Sequence, residues 1–102
     1  MSTTRIHLDP KKLTKDAFDQ LLMAKYDIFY RRIVEYISND INGIEDQEVL
    51  AILIDDNNNE YDMFLPKDGY TKSLSKALEY FILIEEYETC SLIKDMIKQI
   101  KE

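Results

Sequence analysis

The feature that most constrains this chain is an almost unbroken apolar run, Val49-Leu50-Ala51-Ile52-Leu53-Ile54, closed by Asp55-Asp56-Asn57-Asn58-Asn59. A short apolar run bounded by turn residues reads as a strand buried on both faces, over about 48–55. Asp and Asn side chains accept local backbone N–H groups and tolerate positive φ, so 55–59 is a turn. Residues 61–65 then form a second strand that ends at Pro66. Two strands alone are marginal in water, so helices must cover at least one face of this β-hairpin.

Helical periodicity supplies that cover. From 15 to about 38, Phe18, Leu22, Tyr26, Phe29, Ile33 and Tyr36 recur at three- to four-residue spacing. Thr14 suits the N-cap, and Asn42-Gly43 suits the left-handed residue that closes a helix. Beyond the turn at Pro66-Lys67-Asp68-Gly69, Ser73 suits a cap for a helix over 73–85 carrying Leu74, Ala77, Leu78, Phe81 and Ile82. The phase falters at Glu85-Glu86, and a new stripe, Tyr87, Cys90, Ile93, Met96-Ile97 and Ile100, predicts a second helix over 87–101. One continuous helix is the competing reading. Residues 3–8 alternate polar and apolar, which fits a short N-terminal edge strand or a tail. The expected fold class is therefore α+β in a single domain, 1–102: a long N-terminal helix, a β-hairpin with or without a third short N-terminal edge strand, and a C-terminal antiparallel helical hairpin. Leu22, Phe29, Ile33, Val49, Ala51, Leu53, Phe81 and Ile97 are the expected core.

Charge narrows the function. The chain of 102 residues has a net charge of −7. Residues 41–70 hold eight acidic groups and one Lys, which is 1 − 8 = −7, so the middle third accounts for the whole excess. Direct binding to nucleic-acid phosphates or anionic membranes is disfavoured. No apolar run is long enough to span a bilayer, and the first ten residues lack a signal-peptide core. A single cysteine excludes an internal disulfide and a cysteine-based zinc site. The expected location is cytoplasmic.

The segment Tyr87-Glu88-Thr89-Cys90-Ser91-Leu92-Ile93-Lys94-Asp95-Met96-Ile97 resembles the UVR motif, a short helical hairpin of excision-repair subunits and protease adaptors. Tyr87 and Glu88 match its aromatic-Glu pair. Ile93, Lys94, Asp95 and Ile97 match in type, with Lys94 in place of Arg and Cys90-Ser91 in place of two alanines. The likeness covers about 30 residues and implies protein–protein docking without catalysis. The same residue types also suit any close-packed helical hairpin. Small side chains at 90 and 91 would permit close approach, Tyr87 would fill the gap at the turn, and Lys94 and Asp95 would face outward.

No constellation points to catalysis. Asp55, Asn57 and Asn59 share the first spacings of an EF-hand loop, but Glu60 replaces its glycine and Pro66 its bidentate Glu. His7 has no second histidine, and Cys90 falls on an apolar stripe. Tyr26 to Arg32 interleaves aromatics with two arginines, a pattern explained by core packing. The reading is a non-enzymatic, cofactor-free, acidic protein–protein interaction module, an adaptor or inhibitor. Its partner would be another protein with a basic surface, engaged through Asp55, Asp56, Glu60, Asp62, Glu85, Glu86, Glu88, Lys94 and Asp95. An acidic mimic of nucleic acid that inhibits a DNA- or RNA-binding enzyme, such as a viral anti-defence factor, is the first alternative. A self-associating subunit of a virion or other assembly, a homo-oligomer, is the second.

Overall fold

The apolar run becomes the middle strand of a three-stranded mixed sheet. A computed structural model describes residues 3–7 and 15–101, with the backbone path alone for 15–23. Strands β1 (Arg5–His7), β2 (Ala51–Ile54) and β3 (Glu60–Met63) lie in the order β1-β2-β3. The short N-terminal segment is thus an edge strand, and it runs parallel to β2 with Arg5 beside Ile52. A parallel pair requires a crossover connection, and helix α1 (Lys15–Ile41) lies between the two strands in the chain. Two further helices follow β3: α2 (Tyr70–Leu83) and α3 (Tyr87–Lys101). The fold class is α+β.

The chain forms two compact units: Met1–Arg32 with Gln47–Phe64, and Ile33–Asp46 with Leu65–Glu102. In the first, side chains alternate between the two faces of the sheet. Ile6 and Ala51 are buried on one face, with Leu53 and Met63 half-buried beside them. On the other face Ile54 is buried and Ile52 half-buried, while Arg5, His7, Glu60 and Asp62 beside them are exposed and the Arg5 guanidinium reaches across β2 to Glu60 at 2.8 Å. Ala51 stands opposite Met63, and the Leu50 N–H also donates to the Met63 carbonyl at 2.8 Å. Two residues opposite one make a β-bulge, which turns Leu50 to the same side as Ala51, so both are buried. Arg32 Nε donates to the Leu50 carbonyl at 2.6 Å and Nη2 reaches the Val49 carbonyl at 3.4 Å. Arg32 is only 7% exposed. It supplies donors to carbonyls that the bulge takes out of the ladder.

The second unit is helical. Ile33, Val34 and Ile37 of α1, Tyr70, Leu74, Ala77 and Phe81 of α2, and Cys90, Ile93 and Met96 of α3 are buried. Helix α1 ends in a Schellman motif: Ile44 N–H bonds the Asn39 carbonyl and Gly43 N–H the Asp40 carbonyl, with Gly43 at φ 68°. Tyr70 donates to Asp40 at 3.1 Å, and its ring meets Tyr36 edge-on. Helices α2 and α3 pack as a hairpin joined at 84–86, which rules out the single continuous helix.

Several expectations are corrected. The strands are shorter than 48–55 and 61–65, because the bulge and the turn take their ends. Helix α1 runs to Ile41, past 38. Ser73 does not cap α2, because a 3-10 turn, Lys67–Gly69, enters directly from Pro66 and α2 begins at Tyr70. Ile33, Ala51 and Phe81 are buried as expected, but Phe29, Val49, Leu53 and Ile97 are only half-buried. Among the described side chains of α1 the first buried one is Arg32, downstream of Phe29, and the buried row of α3 runs through Cys90, Ile93 and Met96, with Ile97 at its margin. Thr14 and the side chains of Phe18 and Leu22 lie outside the described residues. Among the described residues, no helix is long and apolar enough to cross a membrane.

Candidate functional site

The nine candidate residues fall into two groups, one in each unit. Asp55, Asp56, Glu60 and Asp62 belong to the β2–β3 hairpin, and Glu85, Glu86, Glu88, Lys94 and Asp95 to the α2–α3 hairpin.

In the first group the carboxylates differ sharply in what they do. Asp55 organises the turn. Its Oδ1 accepts the backbone N–H groups of Asn57 and Asn59, both at 2.9 Å, and its Oδ2 accepts Asn59 Nδ2 at 3.1 Å and the Tyr61 hydroxyl at 3.0 Å. Asn58, at φ 63°, takes the left-handed position. The backbone N–H of Asn59, with the other donors after it, holds the Asp55 carboxyl below its ordinary value of 3.8, against a smaller desolvation effect. Its own bond to the Asp55 carboxylate raises the Tyr61 hydroxyl above 10.0. The turn thus uses all four of these donors, and both carboxylate oxygens of Asp55 are engaged within it. Asp56 is exposed in the turn, and Glu60 is tied to Arg5. Asp62 is exposed on β3, flanked by Tyr61 and, one residue beyond Met63, by Phe64, which is 60% exposed.

In the second group the turn is again a Schellman motif. Glu86 N–H bonds the Phe81 carbonyl at 2.9 Å and Glu85 N–H the Ile82 carbonyl at 3.0 Å. Glu85 holds the left-handed position at φ 61°, where glycine is the usual residue. Glu86 precedes α3 and accepts the Thr89 hydroxyl, while its carbonyl accepts Cys90 N–H. Glu88 lies in the first turn of α3, where its charge suits the helix dipole. Lys94 and Asp95 are exposed, as expected, about 10 Å along the helix from Tyr87 at 1.5 Å per residue. Two details differ from expectation. Ser91 is exposed, so Cys90 and Ala77 are the small residues that face inward. Tyr87 is 62% exposed and does not fill the turn, because Phe81 and Ile93 already occupy the interior. Leu83, at 72%, is still more open.

Sequence reasoning misses three features here. Nothing in the spacing singles out Arg32 as the buried donor to the Leu50 carbonyl. Glu85 gives no sign of a left-handed backbone. The exposed Leu83 sits within the apolar run Phe81-Ile82-Leu83-Ile84, off the stripe that Leu74 and Phe81 define. The outer edge of β3, unpaired among the described residues, did carry a signal: Glu60 and Asp62 alternate with Tyr61 and Met63, the pattern of a charged edge strand. Comparison with family models, curated proteins and solved structures finds no match for this chain.

Proposed function

We propose that this chain is a non-enzymatic protein–protein interaction module, an acidic adaptor or inhibitor whose partner presents a basic surface. One observation supports the reading: at both hairpins, large exposed apolar residues lie close in the chain to acidic ones. Tyr61 and Phe64 neighbour Asp62, and Leu83 and Tyr87 flank Glu85 and Glu88. Apolar anchors among charges give area to bury and a field that steers approach. A nucleic-acid mimic has less support, because Asp55 is committed to its turn and Glu60 to Arg5. The resemblance to UVR hairpins fits docking through α2 and α3, with Lys94 and Asp95 open to a partner.

Purification from the native host, with mass spectrometry of what co-purifies, identifies the partner. Association rates for the wild type and for Asp56→Asn/Asp62→Asn then test the mechanism. Asp55 and Glu60 stay untouched, since neutralising either disturbs the turn or the sheet. The variant should associate more slowly at low salt, and the difference should vanish at high salt, as charges more than about 8 Å apart are screened at physiological ionic strength. Equal rates at both salt levels would remove the acidic segment from binding.

A further inference from the structure

The outer edge of β3 is unpaired among the described residues, and its hydrogen-bonding groups can be assigned. Strand β2 directs alternate residues to its two neighbours. Ile52 N–H donates to the Thr4 carbonyl on the β1 side at 2.9 Å, whereas Leu50 N–H donates to Met63 and Asp55 N–H to Asn59 on the β3 side. Residues 59, 61 and 63 therefore face β2, and the backbone groups of Glu60 and Asp62 point outward. Both residues are exposed, and Asp62 has no ion-pair partner among the described residues. Along this edge one face presents the Glu60 and Asp62 carboxylates and the other presents Tyr61 and Met63.

We infer that β3 accepts an extended segment of another protein as a fourth strand, one whose side chains alternate between basic and apolar. Main-chain hydrogen bonds to Glu60 and Asp62 provide the affinity, and the two faces of the added strand provide the selectivity. A cation on one face meets Asp62, since the Glu60 carboxylate is held by Arg5. Apolar side chains on the other meet Tyr61 and Met63. A second copy of this chain does not fit, because antiparallel pairing of two β3 edges sets carboxylate against carboxylate. The charges that prevent self-pairing are the ones that admit a cationic strand. This inference rests on the interaction-module reading and specifies where and how the partner binds.

The test uses the full chain, labelled for amide-resolved hydrogen exchange, and two synthetic heptapeptides of equal composition. One alternates Lys and Val, and the other groups them in blocks. The alternating peptide should slow exchange at Glu60 and Asp62 by at least about tenfold, and the block peptide should not. Asp62→Pro removes the outward N–H without touching the β2 ladder and should abolish the protection. Asp62→Asn keeps that N–H and should bind more weakly with protection retained. Binding without protection at these amides, equal protection by the block peptide, or no binding would overturn the inference. So would protection that depends on the concentration of the chain alone, which would make the occupant a second copy. If a co-purified partner associates in a salt-dependent way while Glu60 and Asp62 stay unprotected, the module reading stands and strand addition falls.

Discussion

The same backbone device closes two helices with different residues. Gly43 and Glu85 both sit at the left-handed position of a Schellman motif, at φ 68° and 61°. Glycine occupies that region freely, whereas a side chain there costs about 1 kcal/mol or somewhat more. Space is not the obstacle at Gly43, where an added Cβ would meet nothing within 4 Å. The two positions should therefore respond in opposite directions. Gly43→Ala should destabilise by about 1 kcal/mol, and Glu85→Gly should stabilise by a similar amount. Urea unfolding with an unchanged slope checks both. If Glu85→Gly gives no gain, the left-handed residue is not strained by its side chain. The turn at Gly43 was legible, since Asn-Gly after a periodic segment announces a stop. The one at Glu85 was legible only as a faltering of phase, because nothing about Glu favours that conformation.

Among the elements, the long helix, the two hairpins and their order were legible because periodicity of 3.6 or 2 is written directly into the sequence. The bulge at Leu50-Ala51 was not, since an extra residue in a wholly apolar run leaves no mark. Nor was its dependence on Arg32, whose guanidinium serves carbonyls 17 and 18 positions away. Arg32→Lys keeps the charge but loses the fork that reaches both Leu50 and Val49. It should cost about 1–3 kcal/mol, the range for leaving a buried polar group unsatisfied, and should lower the midpoint of urea unfolding. Arg31→Lys is the control. Arg31 is exposed and bonded to Asp27 one turn back, and such pairs contribute about 0.3–0.5 kcal/mol.

For the molecule as a whole, the question is whether 102 residues unfold together. One helix, α1, contributes residues to both compact units. Unfolding one unit would therefore disturb an element of the other, and a chain of this size should melt in a single transition, with calorimetric and van't Hoff enthalpies equal. Two resolved transitions would show independent units. The same melt should depend on alkaline pH. Burial, then the bond to Asp40, raises the Tyr70 hydroxyl to about 12 from 10.0. A folded-state value above the unfolded one gives stability that is complete below pH 10 and lost as the pH rises towards 12. Tyr70→Phe should flatten that decline. The candidate site was partly legible at this scale. The charge asymmetry was visible by counting, while the division of labour among the carboxylates depends on turn geometry that counting does not contain.

The parallel pairing of β1 with β2 also dictates an order of assembly. A chain made from its N-terminal end releases Arg5–His7 first, yet the strand they join, Ala51–Ile54, emerges only after all of α1. Until then β1 is an extended segment with nothing to pair with. The turn between β2 and β3 closes within a few residues, and α2 and α3 meet across three, so both hairpins form locally and early. Closing the long loop back to β1 adds only slowly growing entropy with its length, but it requires β2 to be in place. Of the three strands, β1 thus pairs only across a long intervening segment, whereas β2 and β3 pair across a short turn.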